Sequence, residues 1–250
     1  MSPELDLACR AAREAGALLR ANFETKLDVD AMHRHDIKLA LDVESQKLIE
    51  RLILATFPDH AIYGEEGLAG DQSSDSQWIV DPIDGTVNFF YGIPHFCVSI
   101  AMRRAGELKI GAIYDPMMDE LYAVDFEGLA TRNGQPIRPS DRAELAEAVV
   151  TVGFSKSSES IDAGLARYKS IAHRVRKTRM MGSAALALAY IACGRLDAYI
   201  EEAISLWDIA AGQLLLERGG GSVVLTPSPG NPDKSGIVAS NGRIELRVEG

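Results

Sequence analysis

Apolar side chains recur with helical spacing near the start of the chain. Leu5, Ala8, Ala12, Ala15 and Leu19 fall on one face of a predicted helix over residues 4–22. A second helix is predicted over residues 43–57, with Leu48, Ile49, Leu52 and Ile53 turned inward and Pro58 ending it. Strand-like apolar runs follow at residues 78–81, 96–102, 110–114 and 121–124, and Asn133-Gly134 is a hairpin turn signal. Beyond Pro139 the pattern alternates. It predicts a strand at 149–152, a helix at 163–172, a buried helix at 184–191, a strand at 196–200, a helix at 209–217 and a strand at 222–225. Polar breaks at 70–77, 155–160 and 226–236 read as loops. The order predicts an α+β half over residues 1–138 and an α/β half over 139–250, with no linker between them, so that they pack as one unit.

Composition narrows the class. The chain has 250 residues, 46% hydrophobic, 25% charged and 6% aromatic, which excludes a disordered, collagenous or disulfide-stapled protein. Acidic residues number 36 against 26 basic ones, for a formal charge of −10. That balance argues against direct nucleic-acid binding or an anionic membrane surface. It does not argue against a phosphate substrate, because bound cations reverse the local sign. Cys9, Cys97 and Cys193 are widely spaced, and a reducing, cytoplasmic location is expected. Charged residues interrupt the first helix, so no signal peptide is expected there. The longest apolar run, residues 184–193, is ten residues long, against the roughly 18 needed to span a membrane.

P-loop, GxGxxG, HExxH and GxSxG motifs are missing. Residues 231–236 begin like a calcium loop, but Gly242 stands where the ligating Glu belongs, so the segment reads as a turn. The informative segment is Trp78-Ile79-Val80-Asp81-Pro82-Ile83-Asp84-Gly85-Thr86. An apolar strand delivers Asp81 at its end, and a turn brings Asp84 beside it. Two carboxylates that close repel one another, and a hard divalent cation such as Mg²⁺ relieves the repulsion. The carbonyl of Ile83 lies between the two acids as a further oxygen. Thr86 starts a helix whose free amides suit a phosphate. Read alone, the segment is equally a capped turn. Two further acidic sites, Glu65-Glu66 and Trp207-Asp208, also fall at predicted element ends, and the three converge on a metal centre.

The sequence Gly64-Glu65-Glu66, the WIVDPIDGTVNF block and a late Leu206-Trp207-Asp208 followed by three glycines resemble the inositol monophosphatase family, a branch of the lithium-sensitive sugar phosphatases. The likeness spans residues 36–241 and includes Asp36-Ile37-Lys38-Leu39-Ala40-Leu41-Asp42, Gly182-Ser183-Ala184 and Asp197 to Glu201. Leu39 and Leu41 stand where the family often has threonines, and Arg218 where it has a small residue. The resemblance implies a layered αβαβα sandwich and a Mg²⁺-dependent phosphomonoesterase acting on a small phosphorylated polyol or sugar. It implies one Mg²⁺ on Glu65, Asp81 and the Ile83 carbonyl, a second on Asp81, Asp84 and Asp208, and a weaker third near Glu65 and Glu66. Thr86, with Glu65 and Asp42 behind it, would orient and deprotonate the attacking water. Asp84, Gly85, Thr86, Ser183, Ala184 and Glu201 would bind substrate. Lys38, His33, His35 and Arg179 carry weaker expectations, while Cys193 and Met180 are expected in the core.

The resemblance also implies a homodimer, to which the 96–102 strand and the helix near Ala184 would contribute. Segments 153–160, 179–185 and 201–205 would select the leaving group. Within the superfamily the same chemistry extends to fructose 1,6-bisphosphate, histidinol phosphate, 3′-phosphoadenosine nucleotides and NADP. The non-enzymatic alternative is a regulatory or scaffolding protein that uses the fold without turnover.

Overall fold

The computed structural model describes residues 1–33, 36–154, 158–228 and 234–246. Helix α1 (Pro3–Asn22) leads through a small hairpin, β1 (Val29–His33) and β2 (Asp36–Leu39), into α2 (Ala40–Thr56). Eight strands then build one sheet: β3 (Ala61–Gly64), β4 (Gly67–Gly70), β5 (Ser76–Asp84), β6 (Cys97–Arg104), β7 (Glu107–Asp115), β8 (Glu120–Asp125), β9 (Thr131–Arg132) and β10 (Gln135–Pro136). Their order is β10-β9-β8-β7-β6-β5-β3-β4, and the short helix α3 (Thr86–Phe90) joins β5 to β6. The remaining chain supplies β11 (Val149–Val152), α4 (Ser158–Ala172), β12 (Lys177–Arg179), α5 (Ala184–Ala192), β13 (Ala198–Ser205), α6 (Leu206–Gly219), β14 (Ser222–Pro227) and β15 (Lys234–Ser240). Its five strands form a second sheet in the order β12-β11-β13-β15-β14.

The layers follow from the apolar faces. The predicted α1 stripe, Leu5, Ala8, Ala12, Ala15 and Leu19, is buried, and it packs on β6 and β7 alongside α2. Helices α5 and α6 pack on each other and fill the space between the sheets, and α4 covers the outer face of the second sheet at β12 and β13. The result is the αβαβα sandwich expected from the resemblance. One continuous cluster joins Ile79, Ile113 and Tyr122 of the first sheet to Leu188, Leu215 and Tyr199. Burial of apolar side chains contributes about 1.5–3 kcal/mol for each large residue.

Where boundaries differ from expectation, polar side chains at the ends explain the difference. Helix α2 starts at Ala40 because the Asp42 carboxylate, at its third position, accepts the Leu39 amide at 2.8 Å. Helix α6 starts at Leu206 because the Asp208 carboxylate accepts the Ser205 amide at 3.0 Å, a capping box with Ser205. The break expected at 226–236 is shorter, since β14 continues to Pro227 and β15 begins at Lys234. Asn231, Pro232 and Asp233 of the calcium-like segment lie outside the described residues, as do Ser155 to Ser157. The stretches expected at a dimer interface are interior instead: Phe96 to Met102 and nearly all of α5 are sealed in the core, because both are apolar on nearly every side and the one polar residue of the first, Ser99, donates its hydroxyl to the Trp207 carbonyl. Asn133 and Gly134 form the expected two-residue hairpin turn between β9 and β10, both with positive φ.

Candidate metal centre

Three positions apart along a strand, Asp81 and Asp84 should face opposite sides of the sheet. They do not, because β5 carries a bulge. Asp81 pairs with Ser99 and Asp84 with Cys97, so three steps on β5 match two on β6. The extra residue falls at Pro82-Ile83, where proline has no ladder hydrogen to lose. A β-bulge, rather than the turn expected from sequence, therefore brings both carboxylates to one face. Asp81 Oδ1 then accepts the Ile83 amide at 3.0 Å. Gly85 follows with φ of 98°, a conformation that side-chain-bearing residues resist, and a Cβ there would lie 3.0 Å from the His95 carbonyl.

The third carboxylate arrives from the other end of the chain on α6. Oxygens of Asp81, Asp84 and Asp208 all lie within 4.8 Å of one another. Asp81 and Asp84 are buried and Asp208 is half-buried. Among the described residues, no lysine or arginine forms an ion pair with any of the three. Burial pushes the Asp81 carboxyl well above its ordinary range, with Glu65, Asp84 and Asp208 adding to the effect. Asp208 is raised by burial, then by Asp84 and Glu65. Asp84 is raised by burial too, but four donors oppose that: Ser183, Ala185, Ala184 and Cys97.

Those donors form a clamp that the sequence reading missed. The first residues of α5 address Asp84, through the Ala184 amide at 3.2 Å, the Ala185 amide at 2.7 Å and a short bond from the Ser183 hydroxyl. Ser183 and Ala184 were expected to bind substrate. They line the cavity, yet their polar groups are committed to Asp84. Asn88 fixes the same turn to α3, donating to the His95 carbonyl at 2.8 Å and the Met181 carbonyl at 2.9 Å.

Thr86 and Asp42 meet as expected. The Thr86 hydroxyl lies 2.9 Å from the Ile83 carbonyl and 3.5 Å from Asp42 Oδ1. The buried Asp42 carboxyl is pushed up to about 7, by burial first and then by Glu65 and Glu66. Glu65 lines the cavity with the triad; Glu66 does not. It turns to Lys38 at 3.5 Å, and its amide is held by Gln46 Oε1 at 2.8 Å. Gln46 and Ser45 were not singled out from sequence. Their signal was available, as two polar residues on the inward face of α2 beside Ile49 and Ile53.

The cavity holds about 750 Å³. Glu201 stands in its wall, its Oε2 accepting the Tyr199 hydroxyl. A Cβ at Gly153 would sit 1.7 Å from the same oxygen, so a side chain there would displace the Glu201 carboxylate from this position. Met180, expected in the core, is 67% exposed at the cavity rim, because it lies in the turn ahead of α5 rather than on a packed face. Cys193 is partly buried against the core, and all three cysteines are free. Arg179 is exposed on β12, bonded to the Thr178 carbonyl at 3.0 Å. His35 lies outside the described residues.

A carboxylate triad of this kind, set where a strand bulge meets a helix start, can hold hard divalent cations against a phosphate. Comparison with known proteins agrees with that reading. A model of the inositol monophosphatase family matches residues 1–248. The chain belongs to the inositol monophosphatase family. Within it, the "Nus factor SuhB" of Pasteurella multocida is 40% identical over 89% of this chain and 85% of its own. The inositol monophosphatase of Anabaena is 38% identical, with a TM-score of 0.84 over 96% of this chain and 90% of that one. The extragenic suppressor protein suhB of Bartonella henselae is 32% identical, with a TM-score of 0.89 over 97% and 95%. Family members thus carry both kinds of name, phosphatase and Nus factor. No helix among the described residues is long and apolar enough to cross a membrane.

Proposed function

We propose that this chain is a cytoplasmic, Mg²⁺-dependent phosphomonoesterase that hydrolyses a small phosphorylated polyol or sugar. The observation that carries the reading is the triad itself: three carboxylates packed within 4.8 Å, none of them ion-paired to a lysine or arginine among the described residues, on the wall of a substrate-sized cavity. The donor set is all oxygen and suits Mg²⁺. Asp81, Asp84, Asp208, Glu65 and the Ile83 carbonyl would hold two or three ions, with Glu66 the weakest candidate because Lys38 engages it. Such ions, when bound, neutralise the phosphoryl oxygens and lower the pKa of water enough for in-line attack near neutral pH.

The chain's own groups do the rest. Thr86 orients the water through its hydroxyl, and Asp42 stands behind it as the proton acceptor. Burial raises the Asp42 carboxyl above its ordinary range, which makes it a stronger proton acceptor than a solvated carboxylate. Backbone amides of Gly85 and Thr86 face the phosphate. Asp84 acts as a ligand held by α5, so Ser183 and Ala184 serve the substrate through Asp84. Glu201 receives hydroxyls of the leaving alcohol. Water adds to phosphorus, the ester P–O bond breaks, and free alcohol and inorganic phosphate leave.

The test is phosphate release from inositol 1-phosphate, fructose 1,6-bisphosphate, histidinol phosphate, 3′-phosphoadenosine 5′-phosphate and NADP, each with Mg²⁺, with EDTA and with added Li⁺. Turnover that EDTA abolishes supports the reading; no turnover of any ester by folded, Mg²⁺-loaded protein overturns it. The relatives named as Nus factors favour a second reading, a regulatory protein in which the site is not used for turnover. That role would survive Asp208→Asn, whereas hydrolysis would not. We also propose a homodimer. Exposed Tyr91, Ile93 and Met180, on segments tied together by Asn88, offer the apolar surface. Sedimentation of the wild type and of Tyr91→Glu tests it, and a wild-type monomer would refute it.

A further inference from the structure

We infer that Lys234 selects substrates whose leaving alcohol carries a second anionic group, a phosphate or a carboxylate. This inference rests on the phosphatase reading above and deepens it. The cavity wall includes five carboxylates: Glu65, Asp81, Asp84, Glu201 and Asp208. Its two cationic residues among those described are Lys38 and Lys234. Lys38 is engaged, 3.5 Å from Glu66. Lys234 has no described carboxylate oxygen within the 4.0 Å of an ion pair.

The register of the second sheet sets where Lys234 stands. A bulge in β13 between Glu201 and Ile204 shifts the pairing with β15, so that Lys234 comes directly opposite Ser205. Directly opposed residues of an antiparallel pair raise their side chains on the same face. Ser205 faces the cavity and caps α6, the helix that carries Asp208. Lys234 therefore shares the face of Ser205 and lines the same cavity as Asp208, Glu201 and Phe154. Glu201 and Phe154 lie on or beside the second sheet, away from the Thr86 side where the transferred phosphate sits.

Electrostatics make the position selective. Cations at the triad are matched by the triad and by the transferred phosphate, so they leave little attraction for a second anion. A second anion entering a wall of carboxylates meets net repulsion unless a cation stands next to it. An ammonium in a half-buried cavity mouth is strongly hydrated and gains most from an anionic partner, whereas neutral hydroxyls are already served by Glu201.

The experiment compares wild type with Lys234→Gln and Lys234→Arg, each checked for an unchanged far-UV spectrum. The readout is the ratio of kcat/KM for fructose 1,6-bisphosphate to that for inositol 1-phosphate, with Mg²⁺ saturating. The ratio should fall about tenfold in Lys234→Gln and stay within about twofold of wild type in Lys234→Arg. Raising the salt from 50 to 300 mM should lower the ratio in wild type and leave it flat in Lys234→Gln. A Gln variant with the wild-type ratio overturns the inference. Calorimetric binding of fructose 1,6-bisphosphate with Ca²⁺ in the site separates this inference from the phosphatase reading. If wild type hydrolyses neither ester yet binds the bisphosphate about tenfold tighter than Lys234→Gln does, Lys234 keeps its role and the phosphatase reading falls. Equal binding by the two proteins overturns the role of Lys234.

Discussion

Asp42→Asn separates what the acidic centre does for chemistry from what it does to stability. The Asp42 carboxyl is 3% exposed and is pushed up to about 7 from an ordinary 3.8. The folded chain therefore holds this proton more tightly than the unfolded chain does. Stability contributed by the protonated form is complete below pH 3.8, declines as pH rises toward 7, and is constant above it. Each unit of difference is worth about 1.4 kcal/mol, so the burden reaches about 2 kcal/mol at pH 5 and about 4 kcal/mol at pH 8. Asparagine is nearly isosteric and carries no charge. Its carbonyl can still accept the Leu39 amide, and its NH₂ would face the Thr86 hydroxyl. In EDTA, Asp42→Asn should exceed wild type in stability by about 2 kcal/mol at pH 5 and about 4 kcal/mol at pH 8, the latter on the order of 10 °C in Tm. Thermal unfolding followed by circular dichroism reads this directly. Mg²⁺ should stabilise the wild type more than the variant, and phosphate release should fall sharply in the variant. A variant less stable than wild type at pH 8, or a gain that does not grow from pH 5 to pH 8, would show that the Asp42 carboxyl is not held up.

Other outcomes follow from the same geometry. Asp84→Asn should reduce phosphate release at least a hundredfold at saturating Mg²⁺ with the far-UV spectrum preserved, and wild-type activity in that variant would refute the ligand assignment. Ser183→Ala removes a bond to Asp84, so half-saturation by Mg²⁺ should rise about tenfold, while KM at saturating Mg²⁺ moves little; the reverse pattern would return Ser183 to direct substrate binding. Glu201→Gln should redistribute kcat/KM among esters by more than it changes Mg²⁺ half-saturation, and an equal loss on every ester would show that its role lies elsewhere.

Much of this was legible in the sequence where a short segment contains its own physics. The α1 stripe, the Asn133-Gly134 turn and the apolar run into Asp81 are local patterns, and each appears where it was expected. The convergence of Asp81, Asp84 and Asp208 was legible because acids at element ends are costly without a purpose. The partners of those acids were not legible. The Asp84 clamp joins residues 99 to 101 positions apart, and nothing in Ser183 or Ala185 distinguishes them from ordinary helix starters. Hairpin β1–β2 and strand β15 were missed because the alternation in Asp36-Ile37-Lys38-Leu39 lasts only four residues, and β15 opens on the polar Lys234-Ser235-Gly236 that reads as part of a loop. The bulge in β5 was read as a turn, since Pro82 suggests a bend but does not say that pairing resumes at Asp84.

The triad also has a bearing on how the chain reaches its native state. Asp84 and Asp208 are 124 positions apart, and the α5 clamp on Asp84 requires the intervening strands to be in place. A cation therefore finds its full set of oxygens only when the last elements have docked. It has little to grip in a half-built chain, including the transition state. Its binding energy should fall almost entirely on the escape rate: unfolding slows in proportion to occupancy, while refolding proceeds at the metal-free pace. The ion in such a site works as a latch, one that closes after assembly is finished and must be released before the molecule can come apart.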